Sequence, residues 1–346
     1  MPGESDRSRR PRQAPWYALA AVDVLLIGLS LVVFALFDHV KPRKGIPAAD
    51  VTYAPAPTQS QIQAEAATDV PAETADAAQA SATPEPAPVG DFSARFADKF
   101  TGGEVIATDT SYTSANISVT LTRYDTIYEG SPVVYYIEDI YIRQIDSFRT
   151  VFAKDTYGKA IREDVVNMSQ RTNAIAAING DYYGVGTPGL CIRNGVLYGS
   201  NPESGDEALV LFRDGTMKVY HDQSSIDVDE IMAQGAWQSF SFGPRLFDEN
   251  GGIQVEVKKG LYTDPRCVVG MVEPGHYVFM VVDGRQDGYS AGMTYAQCAE
   301  VMQSLGCTLA YNLDGGATAQ MTFMGQLANQ PTGGGRSTSD MLIIVD

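Results

Sequence analysis

Three aspartates stand just past apolar runs, beside glycines, and are the residues of this chain best placed to do chemistry. Asp283 follows Tyr277-Val-Phe-Met-Val-Val282 and opens the segment Asp283-Gly-Arg285-Gln-Asp-Gly-Tyr289-Ser290. Asp314 lies in Asn312-Leu-Asp314-Gly-Gly316, after Cys307-Thr-Leu-Ala-Tyr311. Asp181 lies in Asn179-Gly-Asp181-Tyr-Tyr183, after Thr172-Asn-Ala-Ile-Ala-Ala-Ile178. An apolar run that breaks into Asn/Asp-Gly reads as a strand ending in a turn. Glycine there lets the backbone approach a ligand closely. The same signal marks plain hairpins elsewhere, at Leu190 to Tyr198 around Asn194-Gly195 and at Leu209 to Tyr220 around Asp214-Gly215. The three site segments differ, because aromatic, hydroxyl and guanidinium groups follow the turn instead of a returning strand.

Carboxylates, amides and arginines suit glycoside chemistry. An oxocarbenium-like transition state needs a carboxylate nearby, and normally a second carboxyl to protonate the leaving oxygen. A leaving group that departs readily as an anion relaxes the second requirement. Where that group is a phosphate monoester, whose remaining proton has a pKa of about 6, guanidinium contacts can partly replace the acid. Arg266, Arg285 and Arg336 are the candidates, against the reading that each pairs with a neighbouring acid. An aspartate can also cap its own turn rather than react. Asn179 and Asn312 could donate to sugar hydroxyls or brace the turns, and Tyr182, Tyr183 and Tyr289 could face a sugar or pack beneath the site. His39, His221 and His276 are the whole histidine complement, which leaves a Ser-His-Asp triad little support. No phosphate-cradling glycine loop with strand-to-helix context is present.

These segments resemble the phosphodiester glycosidase family. The resemblance covers roughly the last 180 residues. It rests on Ala177-Ile-Asn-Gly-Asp-Tyr-Tyr183, Ile192-Arg-Asn-Gly195, Phe242-Gly-Pro-Arg-Leu246, Arg266 with Val269-Gly270, Val282 to Ser290, Asn312 to Gly316, and Asn329-Gln-Pro331 to Arg336. Two departures stand out. Ala317-Thr318-Ala319 replaces the family's common Gly-Ser-Ser, and Cys267 follows Arg266 where a small hydroxyl residue is usual. The resemblance implies hydrolysis of an N-acetylglucosamine-1-phosphodiester-like linkage in envelope or exopolysaccharide glycans. The expected catalytic residues are Asp181, Asp283 and Asp314. The expected substrate contacts are Asn179, Gly180, Arg266, Gly284, Arg285, Ser290, Asn312, Gly315, Gly316, Thr318 and Arg336. Two other classes stay open: a non-catalytic glycan-binding module, and a glycan-cleaving enzyme acting on other bonds.

The elements that must position these groups form an α+β domain, β-rich, with a mixed sheet, hairpins and few helices. Asn116 to Tyr124 alternates cleanly, and Val133 to Ile142 is rich in β-branched and aromatic residues. Helices are expected at about 158–172 and 293–305. The second carries a capping-box pair, Thr294 and Gln297, and a stop at Gly306. With the apolar runs on either side it makes a strand-helix-strand unit, whose strands run parallel if they share a sheet. Asp283 and Asp314 would then lie on one edge.

From Trp16 to Phe37 the chain is nearly all apolar, broken by Asp23, about the roughly 20 residues a membrane-spanning helix needs. Residues 45–90 are Ala/Pro-rich, with six acids and no base, a composition that builds no core. The expected organisation is a short cytoplasmic segment (1–15), a transmembrane signal anchor (16–40), a disordered acidic linker (41–90) and an extracytoplasmic domain (91–346) on the cell membrane. That domain carries a net −14 of the chain's −17, which excludes a broad nucleic-acid face. Any phosphate must therefore be met by a few placed arginines. Cys191, Cys267, Cys298 and Cys307 lack Cys-x-x-Cys spacing, so no zinc site is expected. A bridge from Cys298 to Cys307 and buried free thiols are both compatible with the spacing. No cofactor is expected, although clustered Asp side chains and turn carbonyls could hold Ca²⁺.

Overall fold

The structure is a computed structural model that describes residues 25–30, 45–49, 90–184, 189–201, 207–254 and 261–346. The chain divides into two units, Met1–Arg43 and Lys44–Asp346. Of the first unit, only 25–30 are described, and they are helical. The expected membrane span therefore falls mostly outside the described residues. Among the described residues no helix is long and apolar enough to cross a membrane.

The second unit is built on two large sheets. The larger has seven strands in the order β16-β14-β15-β5-β4-β3-β2. These are β2 (Ile106–Ala107), β3 (Ser111–Thr113), β4 (Ile117–Tyr128), β5 (Ser131–Ile142), β14 (Arg266–Glu273), β15 (His276–Val282) and β16 (Leu309–Asn312). The other has five, β18-β17-β8-β19-β6, made of β6 (Phe148–Phe152), β8 (Ala176–Asn179), β17 (Met321–Phe323), β18 (Gln326–Leu327) and β19 (Asp340–Ile344). A three-stranded sheet joins β11 (Ala208–Phe212), β12 (Met217–Tyr220) and β13 (Ala236–Phe240). The hairpin β9 (Cys191–Arg193) with β10 (Val196–Gly199) stands beside it.

The strands at the centre are apolar on both faces because both faces are covered. On β15, Tyr277, Phe279 and Val281 join the core between the sheets, where Ile178, Met321, Leu342 and Trp237 also lie. The alternate residues Val278, Met280 and Val282 pack against helix α3 (Tyr295–Ser304). On β19, Leu342 and Ile344 face the same core, while Met341 and Ile343 meet helix α1 (Val165–Arg171). Helix α2 (Val228–Ala233) covers the three-stranded sheet through Ile231. Helix–sheet–sheet–helix layering thus explains runs that do not alternate.

Three expectations need adjustment. The sheets are not mixed: every ladder between the described strands is antiparallel. The strand-helix-strand unit exists, and β15 and β16 do run parallel. But β14, the hairpin partner of β15, sits between them and pairs with both. The first helix is shorter than expected, because Asp164 caps it by accepting from Val166 and Asn167 N–H. Finally, part of the expected linker is ordered. β1 (Ile46–Pro47) pairs with β7 (Thr156–Tyr157), and Ala48 N–H donates to Asp155 O at 2.7 Å. An extended segment has added itself to an open strand.

Candidate active site

Asp283 inherits its direction from β15. It lies two residues past Val281, so it keeps the core-facing side at the very end of the sheet. Its N–H extends the ladder to Val134 O at 3.0 Å. Its carboxylate is nearly fully buried yet held by three donors: Asn329 Nδ2 at 2.8 Å, Gln330 N–H at 3.0 Å and the Tyr289 hydroxyl at 2.9 Å. Burial pushes the carboxyl above its usual range, and these donors pull against that shift.

Asp314 is joined to the third segment through backbone. Its N–H donates to Gly180 O at 3.3 Å, and Asn179 Nδ2 donates to Asp314 O at 2.8 Å. Asn179 Oδ1 accepts from Gln320 N–H at 3.1 Å, which leaves this amide as a brace inside the turns. The ends of β8, from one sheet, and β16, from the other, are thereby stitched together. The Asp314 carboxyl is also pushed up by burial, opposed by the Thr318 hydroxyl and by Arg336. Arg336 reaches Asp314 Oδ2 at 3.3 Å and the Thr318 oxygen at 2.9 Å, and its guanidinium lies 5.6 Å over the Tyr182 ring. Tyr182 adopts φ of 68°, a costly conformation for an aromatic residue.

A second arginine lies against the same turn. Arg285, at φ of 57°, donates to Asp264 at 2.8 Å and keeps about half of its side chain in solvent. Gly316, at φ of 64°, faces it so closely that a Cβ there would sit 3.2 Å from Arg285 Nη1. Two partly exposed guanidinium groups thus flank the turn that begins at a buried carboxylate.

Asp181 is brought near in backbone but not in side chain. Its Oδ1 accepts from Arg193 at 3.0 Å and its Oδ2 from Ser241 N–H at 2.8 Å. Arg193 also holds Asp340, at 2.7 and 2.9 Å, and all three side chains are fully buried. Arg266 is also buried. It donates to Met293 O at 2.9 Å and Tyr262 O at 2.7 Å, and lies 4.1 Å over the Tyr295 ring. Asn312 Nδ2 donates to Gly243 O at 2.8 Å, and Ser290 links Asp283 O to Val134 N–H. These four side chains hold loops in place. Tyr183 packs against Phe152 and Tyr157, beneath the surface. His221 and His276 pair with Glu207 and Asp139. All four cysteines are buried free thiols. Among the described residues, no group of three or more His, Cys, Asp or Glu side chains is placed to hold a metal.

Sequence reasoning assigned no role to Arg193, Asp340 or Asn329. Asp340 did carry a signal: an acid opening the fully buried run Met341 to Ile344 must find a partner.

A family model described as phosphodiester glycosidase matches residues 172–345. The SPbeta prophage-derived uncharacterized protein YomE of Bacillus subtilis (strain 168) is 34% identical over 202 residues, 54% of this chain. The chain spans only 30% of that relative's length. Among solved structures, the catalytic domain of zebrafish N-acetylglucosamine-1-phosphodiester alpha-N-acetylglucosaminidase, auto-inhibited by its pro-peptide, aligns with a TM-score of 0.56. The alignment covers 75% of this chain and 94% of that one, at 19% identity. A hypothetical protein from Synechocystis aligns at 0.51 with 12% identity, over 71% of this chain and 64% of its own. Likeness at such identities shows a shared fold.

Proposed function

The chain belongs to the phosphodiester glycosidase family, and from that premise we propose that its domain hydrolyses a sugar-1-phosphodiester, of the N-acetylglucosamine-1-phosphodiester type, in envelope or exopolysaccharide glycans. The observation that carries this reading is the pair Arg285 and Arg336 against the turn of Asp314. In the proposed reaction the bond between the anomeric carbon and the phosphate oxygen breaks, and the phosphate monoester leaves with the bonding electrons. A water oxygen bonds to the anomeric carbon, and its proton passes to a carboxylate. Asp314 is the proposed carboxylate at that carbon, being the most exposed of the three at 7%. Asp283 is the second carboxylate, held in place by its three donors. The arginines balance the charge that builds on the phosphate, which lowers the need for a general acid. Asp181, committed to Arg193, shapes the Gly180 turn. An N-terminal anchor at residues 16–40 would keep the domain outside the cell.

The test is release of free sugar from a panel of sugar-1-phosphodiesters by the soluble domain. Asp314→Asn should lower turnover by roughly 10²-fold or more with folding intact. Arg285→Lys keeps the charge but loses the planar fork, so it should harm phosphodiesters more than aryl glycosides. Equal harm to both substrates would remove phosphate binding from Arg285. Full activity in Asp314→Asn would move the chemistry to another carboxylate.

A further inference from the structure

The β4–β5 hairpin outruns its sheet. Its ladder extends from Ile117↔Ile142 to Tyr128↔Ser131. β15 pairs with β5 only from Tyr135 to Tyr141, and β3 with β4 only from Ser118 to Thr120. The outer half is therefore an arm, stiffened where Tyr124 and Tyr135 stack with centroids 4.7 Å apart. The base of the arm is tied to the loop that carries Asp283. Val134 N–H donates to Ser290 Oγ at 3.0 Å, and Ala291 N–H donates to Pro132 O at 2.9 Å. The arm lies outside residues 172–345, which the family description covers.

Strand alternation gives the arm an inner face. Tyr136 points with Ile140 toward the core between the sheets, and Arg123 sits opposite Tyr136 on the same side. The Arg123 guanidinium lies 5.9 Å from the ring centroids of both Tyr136 and Tyr289. The Tyr289 hydroxyl donates to Asp283 Oδ2 at 2.9 Å, and the Tyr136 ring shares the same guanidinium. Asp125 holds Arg123 from behind with two bonds, at 3.0 and 2.7 Å.

We propose that Arg123, acting through Tyr289, is a positioning residue for Asp283: it holds the ring whose hydroxyl bonds the carboxylate and sets a positive charge beside it. The proposal rests on the reading of Asp283 as part of the reacting site. The charged and titratable groups around Asp283 are Arg123 of β4 with its ion-pair partner Asp125, Tyr289 of its own loop and, against Arg123, Tyr136 of β5. The 329–330 segment presents neutral donors only. Burial favours the protonated acid, whereas Arg123 and the donors favour the anion. Loss of the guanidinium charge should therefore make Asp283 bind its proton more tightly, and activity should be lost first at acid pH.

Arg123→Met keeps the aliphatic stem without the charge, and Arg123→Lys restores the charge. On a phosphodiester that the wild-type chain turns over, Arg123→Met should lower kcat/KM by about fivefold near pH 5 but less than about twofold near pH 8. KM should stay constant, and Arg123→Lys should recover the wild-type profile. A rise in KM alone, at every pH, would make Arg123 a direct substrate contact and overturn the proposal. So would an equal loss at every pH that lysine does not rescue. A carbon-13 NMR titration of the Asp283 carboxyl needs no substrate: its midpoint should move up in Arg123→Met and return in Arg123→Lys. An unmoved midpoint would sink the positioning role even if the domain turned over every phosphodiester offered. A chain with no turnover but a shifted midpoint would instead count against the glycosidase reading.

Discussion

Buried acids in this protein meet three different fates. Asp283 and Asp314 are surrounded by donors, Asp181 and Asp340 share one guanidinium, and Glu138 has nothing. Both Glu138 oxygens are buried without a hydrogen-bond partner, on the core-facing side of β5, and burial holds this carboxyl well above its ordinary 4.5. The unfolded chain ionises near that ordinary value, while the folded chain holds the proton to higher pH. Glu138 thus contributes stability in full below the unfolded value, and that contribution is lost as pH rises through the folded one. Glu138→Gln should flatten the decline of stability between about pH 5 and pH 8 and leave the variant the more stable at the upper end. Urea unfolding of both proteins across that range checks it; parallel curves would mean that Glu138 is charged in the fold. The strand-end positions of Asp283 and Asp314 were legible, because an aspartate after an apolar run is a local signal. The sequence could not reveal that Asp181 is spoken for. The partners of Asp181 lie 12 residues away in Arg193 and, beyond that, 147 further on in Asp340.

At the scale of elements, the turn after β16 couples conformation to charge. Gly316→Ala adds a methyl at φ of 64° and pushes toward Arg285 Nη1. The conformational cost is about 1 kcal/mol, small enough for the domain to fold. Displacement of the guanidinium should nevertheless cut phosphodiester turnover by about tenfold. Paired measurements of urea midpoint and turnover check this, and an unchanged rate would detach Arg285 from the reaction. Element types were largely legible from the chain. The Asn-Gly and Asp-Gly hairpins form where the dipeptides sit, and α3 begins at its capping box. Pairing was less legible, since a continuous apolar strand looks the same whether its neighbours run parallel or antiparallel. Nothing local shows that β14 enters between β15 and β16. The docking of β1 was equally hidden, because Ile46-Pro47 lies in a stretch whose composition argues for disorder.

Across the whole molecule, Arg193 is the charge that binds separate layers. It stands on β9, reaches Asp340 at the head of β19 and Asp181 beyond β8, and donates to Ser239 O of β13. Two carboxylates face one guanidinium in the interior, and burial pushes the Asp340 carboxyl up while Arg193 pulls against that shift. Arg193→Met would strand both acids, and should cost about 3–5 kcal/mol. Urea denaturation measures it; a loss below about 1 kcal/mol would show that protonation of the acids compensates. The position of β19 has a further consequence, in the order of biosynthesis. It follows every other described strand in the chain, yet it lies inside its sheet, between β8 and β6. While the chain is emerging from the ribosome, β6 and β8 must wait with facing edges unpaired, and the Gly180 turn lacks the Asp340 carboxylate that packs against it. The nascent domain can assemble most of its mass early, but the Gly180 turn is completed only when β19 slides in between β8 and β6.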